Sequence, residues 1–208
     1  MKTLAIDCST EACSIALFDG GVPMAHDHRI LGRGHAEQLV PMIAALPGNG
    51  RAGRILVALG PGSFTGIRIG IATARALGLV WKSAVLGYPT LALVAAIARA
   101  HEGAQPVAVA MQGGHGEWFV ASFAADGTET GETLSLSPQT ACAAVEAELV
   151  AGTQAEALVA ARGRGRAIPL HPDARHALLL DEALLSPSLK PRYGRAPDAK
   201  TIAERAAP

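Results

Sequence analysis

Cysteine is scarce. Cys8, Cys13 and Cys142 are the three in 208 residues, and they form no Cys-x-x-Cys pair. An odd, scattered set offers neither a disulfide frame nor a zinc knot, and points to a reducing compartment. Charge is scarce too. Lys and Arg number 18 and Asp and Glu number 18, so the formal net charge is zero, and no global field draws the chain to nucleic acid or to an anionic membrane. No apolar run is long enough to span a bilayer, because the most apolar stretch, 67–81, is interrupted by Arg68 and Arg75. The opening Met1-Lys2-Thr3-Leu4-Ala5-Ile6-Asp7 lacks the extended apolar stretch of a signal peptide, so a cytoplasmic location is expected. What is present is a composition that is 50% hydrophobic, enough for a substantial core and unlike a disordered chain. One or two small domains are expected at this length.

Periodicity predicts strands over 2–7, 12–19 and 22–30, with Asp19-Gly20-Gly21 as a hairpin turn. A helix over about 34–46 carries Leu39, Met42, Ile43 and Leu46 at helical spacing, with Pro41 inside it. Residues 54–59 are a continuous apolar run, as in a fully buried parallel strand. A glycine-rich helix, a short strand at 84–87 and a helix from Thr90 to Ala100, capped by Thr90, follow. The composition shifts at His101–Pro106, which divides the chain into an N-terminal lobe, 1–103, and a smaller C-terminal lobe and tail, 104–208. In the second lobe, Val107–Met111 and Glu117–Phe123 form a hairpin. Ser137-Pro138 opens a helix to about Val150, Leu158–Ala161 reads as a strand, and His171-Pro172-Asp173 opens a helix through Leu185. The order gives an α/β fold with mixed sheets.

The stretch 59–82 is the most informative. Gly66, Gly70, Ala74 and Gly78 recur every four residues and line one helix face. A glycine inside a helix costs about 0.5–1 kcal/mol relative to alanine, so something must pack close to this backbone. Either the chain's own sheet or a partner surface meets that requirement. The preceding Gly60-Pro61-Gly62-Ser63-Phe64-Thr65-Gly66 loop invites a phosphate reading. It lacks the Lys-Ser/Thr of a Walker loop, however, and its third glycine comes one residue late for a dinucleotide fingerprint. Asp7, Ser9 and Thr10 close the first strand and are candidates for a phosphate or nucleotide contact, set against a turn that satisfies its own backbone. His26, His28 and His35 lack the further ligand a metal needs. Arg162, Arg164 and Arg166 alternate with glycine and are candidates for RNA phosphate contact, set against a solvated loop. No nucleophile with an adjacent base is apparent, so no catalytic residue is assigned.

Several segments together resemble one family. They are Ile6-Asp7-Cys8-Ser9-Thr10-Glu11-Ala12, His35-Ala36-Glu37-Gln38-Leu39-Val40-Pro41, Gly60 to Gly70, and Pro191-Arg192-Tyr193-Gly194-Arg195-Ala196-Pro197-Asp198-Ala199-Lys200. The chain resembles the TsaB (YeaZ) family of tRNA threonylcarbamoyladenosine biosynthesis, densely over 4–90 and thinly over 101–186. The resemblance implies an actin-like ATPase (ASKHA) fold of two ribonuclease-H-like lobes. It implies a noncatalytic paralogue that supports a TsaD-like catalytic subunit in modifying adenosine 37 of tRNAs reading codons that start with A. It also implies a TsaE-like ATPase as a further partner, a homodimer when alone, indirect contact with tRNA, and no membrane. No cofactor or metal is assigned, and a nucleotide at a complex interface stays open. The His-x-x-x-His helix that holds metal in TsaD is absent here, and His171 and His176 have the wrong spacing. By the same resemblance, helices 34–46 and 63–81 form the partner interface, with His35, Leu39, Ile43, Gly66, Gly70, Ala74 and Gly78 as its residues. Where the family usually has Asp-Ala-Arg, this chain reads Gln112-Gly113-Gly114. The alternative reading is a stand-alone metallopeptidase or a small ATPase of the same superfamily.

Overall fold

The computed structural model describes residues 1–194. Strands β1 (Lys2–Asp7), β2 (Ala12–Asp19) and β3 (Val22–Ile30) form an antiparallel meander. Gly20 and Gly21 turn its first hairpin with φ of 57° and 88°, values that non-glycine residues rarely adopt. Helix α1 (His35–Ala45) leads to β4 (Arg54–Ala58), and helix α2 (Phe64–Trp81) to β5 (Ala84–Tyr88). The sheet order is β3-β2-β1-β4-β5, with β4 parallel to both β1 and β5.

Helix α3 (Thr90–Glu102) carries the chain to a second sheet of the same design. Its strands are β6 (Val107–Gln112), β7 (Trp118–Phe123), β8 (Leu134–Leu136), β9 (Leu149–Ala151) and β10 (Arg166–Ile168). Their order is β10-β9-β6-β7-β8. Counted within its own sheet, each strand holds the same place and direction as its counterpart in the first sheet. Helices α4 (Pro138–Ala144) and α5 (Ala155–Arg162) stand where α1 and α2 stand in the first lobe. The architecture is one five-stranded unit used twice.

Alternation along β1 builds two cores at once. Leu4 and Ile6 pack with Ile15, Leu39, Met42, Ile67 and Ile71 under α1 and α2. Ala5 faces the other way, into a cluster where Leu91, Val94 and Ala98 of α3 meet Val107, Val109 and Phe119 of the second sheet. Each fully buried aliphatic side chain contributes roughly 1.5–3 kcal/mol. The cluster on α3 contains residues of both sheets, so burial there joins the two halves.

The second lobe departs from the sequence expectations. Helix α4 ends at Ala144, not near Val150, because Leu149–Ala151 is drawn into the sheet as β9 beside β6. Leu158–Ala161 is helical within α5 and not a strand. Its alanines, Glu156 and Leu158 favour helix, and Gly163 ends it with φ 69°. Residues 171–185 form two separate 3-10 turns, Ala174–Leu179 and Glu182–Leu184, each started by an aspartate side chain, Asp173 and Asp181. Thr90 does not cap α3. Pro89 holds that position, and the buried Thr90 hydroxyl has no hydrogen-bond partner among the described residues.

Candidate functional site

The β1–β2 turn and the start of α2 meet at the edge of the first sheet. Asp7 ends β1 fully enclosed. Its Oδ1 accepts from the Ser9 amide at 2.9 Å and from Ser9 Oγ at 2.5 Å, and its Oδ2 lies 3.2 Å from the Tyr88 hydroxyl. That hydroxyl also donates to the Ile6 carbonyl at 3.0 Å. Thr10 Oγ1 accepts from the Ala12 amide at 3.1 Å. The three residues considered for a phosphate contact are therefore engaged by their own turn, and Ser9 has no exposed surface.

The glycine-rich loop lies directly on this turn. The Ser63 amide donates to the Ser9 carbonyl at 2.7 Å, and Ser63 Oγ caps α2 by accepting from the Gly66 amide at 3.2 Å. A Cβ on Gly62 would overlap the Ser9 carbonyl oxygen, and one on Gly66 would overlap that of Cys8. The loop is built for contact between two backbones. A cleft of about 370 Å³ remains beside it, between the lobes. It is bordered by Ser9, Thr10, Glu11, Ser63 and Phe64 on one side and Gln112, Gly113 and Gly114 on the other. The Gln112 side chain there accepts from Gln154 Nε2 at 2.9 Å, and among the described residues the second lobe lines this rim with Gln112, Gly113 and Gly114, none of them charged.

Burial raises the Asp7 carboxyl above its usual value near 3.8, against the opposing hydrogen bonds from Ser9 and Tyr88. The folded chain then binds this proton more tightly than the unfolded chain. The associated stability is complete below the unfolded value and is lost as pH rises through the folded one. Asp7→Asn keeps the acceptor for Ser9 and presents an amide to the Tyr88 oxygen. It is expected to flatten the stability–pH profile just above pH 3.8 and to leave the thermal midpoint at neutral pH no lower. A marked drop at neutral pH would show that the ionised carboxylate is a net stabiliser.

The expected interface residues lie inside the chain. Leu39, Ile43, Gly66, Gly70, Ala74 and Gly78 are all buried within it. A Cβ on Gly70 would meet Val57 Cγ2 at 3.6 Å and Cys8 Cβ at 3.7 Å, and one on Gly78 would overlap Val85. The glycine stripe thus seats α2 on its own sheet. His35 is buried as well, with Nε2 3.3 Å from the Ala12 carbonyl, tying the start of α1 to β2. The outward faces of α1 and α2 carry Ala36, Val40, Ala44, Ala72, Ala76, Leu79 and Val80, all exposed, together with the exposed charges of Glu37, Arg68 and Arg75.

The arginine–glycine run is engaged in the fold. Arg162 donates to the carbonyls of Arg164 at 2.8 Å, Val145 at 3.0 Å and Ala147 at 2.7 Å. Arg164 pairs with Glu148 at 2.7 Å, and Arg166 pairs with Glu102. Arg162 therefore clips the end of α5 to the segment after α4, a role the sequence did not disclose. The flanking Gly163 and Gly165, with φ of 69° and 99°, were the signal for a turn. Arg162→Ala should lower stability by about 1–3 kcal/mol, because it strips charged donors from carbonyls, and a urea melt would read this. His26, His28, His101, His171 and His176 gather on one flank, where His26 meets Arg175 at 3.3 Å and His171 lies 3.8 Å from Glu11. Among the described residues, no three His, Cys, Asp or Glu side chains are grouped to hold a metal. Lys190 lies beside α2 and the Arg192 amide donates to the Leu59 carbonyl at 2.7 Å, whereas Arg195 and Lys200 lie outside the described residues. No helix among the described residues is long and apolar enough to cross a membrane.

A duplicated five-stranded unit with a cleft between the halves defines the actin-like ASKHA class of proteins. Comparison with known proteins narrows this. The family model "TsaD: tRNA N6-adenosine threonylcarbamoyltransferase" matches residues 16–177. The tRNA threonylcarbamoyladenosine biosynthesis protein TsaB of Escherichia coli K12 is 38% identical over 131 residues, 61% of this chain and 56% of that protein. The chain therefore aligns with a little over half the length of this relative. The structure of YeaZ from Pseudomonas aeruginosa superposes with a TM-score of 0.72 at 28% identity, covering 86% of this chain and 89% of that one. The ethanolamine utilization protein EutJ of Carboxydothermus hydrogenoformans shares the fold at a TM-score of 0.51 and 13% identity, over 86% and 88% of the two chains. The chain belongs to the TsaB/YeaZ family, paralogous to TsaD.

Proposed function

We propose that this chain is a noncatalytic partner subunit in the threonylcarbamoylation of tRNA adenosine 37, acting by binding and supporting a TsaD-like catalytic subunit. The observation that carries the reading is the apolar outer face of α1 and α2, where Leu79 is 82% and Val80 73% exposed. Large aliphatic side chains held in water on an ordered helix mark an interaction surface when they form a continuous patch. The commitment of Asp7, Ser9 and Thr10 to their own turn supports an accessory role over turnover. On this reading the lobe over 1–103 faces the partner and 104–208 forms the second lobe. A second copy occupies the face when the partner is absent, a TsaE-like ATPase joins the assembled complex, tRNA is contacted indirectly, and the complex works in the cytoplasm.

The test mixes the purified chain with a TsaD-like subunit and follows mass by size-exclusion chromatography with light scattering, then measures tRNA threonylcarbamoylation with and without the chain. A heterodimer, and product formation that depends on the chain, are expected. Absence of any complex would overturn the reading. Stoichiometric metal, or nucleotide turnover by the chain alone, would favour the stand-alone enzyme.

A further inference from the structure

We propose that Cys8 and Cys13 are a two-electron oxidation site that closes to an intrachain disulfide with a small peroxide as oxidant. The register pairs Asp7 with Ser14, so the next positions outward along the same hairpin are Cys8 and Cys13. Their sulfurs already lie 3.6 Å apart. Closure to a disulfide needs an approach of about 1.5 Å. Both thiols are buried in the cluster under α1 and α2, beside Ile15, Leu39, Ile67 and Ile71. That enclosure excludes a bulky disulfide reagent and leaves the paired sulfur as the natural resolving group. The shared contact lowers the Cys13 thiol and raises the Cys8 thiol, which favours Cys13 over Cys8 as the attacking sulfur.

The chemistry balances. The Cys13 thiolate attacks hydrogen peroxide, an S–O bond forms, the O–O bond breaks and hydroxide leaves. The Cys8 sulfur then displaces the oxygen from that sulfenic acid, the S–S bond forms, and the departing oxygen leaves as water with the released proton. Two thiols and one peroxide give one disulfide and two waters. The product lies under the contact that seats α2, because a Cβ on Gly70 would lie 3.7 Å from Cys8 Cβ and 3.9 Å from its sulfur. Oxidation is thereby linked to the first half of α2.

The test treats the whole chain with hydrogen peroxide, quenches it, and counts thiols in denaturant. Three reactive thiols should fall to one, with the mass lowered by two hydrogens, a peptide linking Cys8 to Cys13, and full recovery on dithiothreitol. The Cys142→Ser chain should show the same loss of two thiols, and hydrogen exchange should change over 64–71 more than in α4 or α5. Three remaining thiols, a linkage through Cys142 or between chains, or sulfinic acid at either residue without the linked peptide would each overturn the proposal. The primary measurement uses the unaltered chain, so it does not depend on a variant folding.

Discussion

Gly66→Ala is expected to destabilise the chain by about 3 kcal/mol or more, while Gly70→Ala, one helical turn away, is expected to stabilise it by about 0.5–1 kcal/mol. The two glycines look alike in the sequence, and the difference lies in what each one meets. The new methyl at Gly66 would run into the carbonyl oxygen of Cys8, and backbone at the end of a paired strand cannot step aside as a side chain can. At Gly70 the nearest atoms are Val57 Cγ2 at 3.6 Å, Cys8 Cβ at 3.7 Å and Cys8 Sγ at 3.9 Å, all ordinary van der Waals contacts. There the methyl fills space and removes the entropic penalty of glycine in a helix. For a chain of this length each kcal/mol moves the melting midpoint by about 2–4 °C, so the pair should separate by roughly 10 °C in a thermal melt. Equal midpoints would show that α2 can slide on the turn, contrary to the close backbone contact at Gly62 and Gly66.

Much of the first lobe is legible in the sequence because its elements are long enough to show a period. The eight residues of β2 and the nine of β3 are long strands, and α2 runs through five turns. The second lobe defeats the same reasoning because β8, β9 and β10 have three residues each. A three-residue strand has no period of its own, and it exists because β6 and β7 offer an edge to pair with. The spacing of the glycine stripe marks a place of close approach without saying to what, and the family resemblance points it at a partner, whereas its neighbours in the structure belong to the chain's own turn and sheet. Ile67 and Ile71 share the buried arc with the glycines, while Leu79 and Val80 lie on the opposite side. The role of Arg162 is hidden in the sequence for a related reason. An arginine among glycines reads as a free cation until the carbonyls of Val145 and Ala147, 15 to 17 residues earlier, are brought beneath it.

Leu79→Lys combined with Val80→Lys is expected to remove pairing with the TsaD-like subunit and leave the fold intact. Both side chains are mostly in water in the free chain, so their replacement should change stability by no more than about 0.5 kcal/mol. Lysine is the appropriate probe because these positions fall in the last turn of α2, which carries no basic residue. A cation there interacts favourably with the helix dipole, by about 0.3–1 kcal/mol, which keeps a destabilised helix from being mistaken for a lost interface. In the complex, two ammonium groups would be buried where aliphatic carbon belongs. A central interface side chain contributes about 2 kcal/mol or more, and a buried unpaired charge costs further, so affinity should fall at least about 30-fold. Leu134→Lys on β8 supplies the matched control, since Leu134 is also an exposed leucine, at 45%, but sits on the second sheet away from α1 and α2. Titration by light scattering or calorimetry should show the control binding like the unaltered chain and the double variant failing to bind, with equal melting midpoints for all three. If Leu134→Lys weakens the complex and the α2 variant does not, the second lobe carries the contact and the apolar face of α1 and α2 has another occupant.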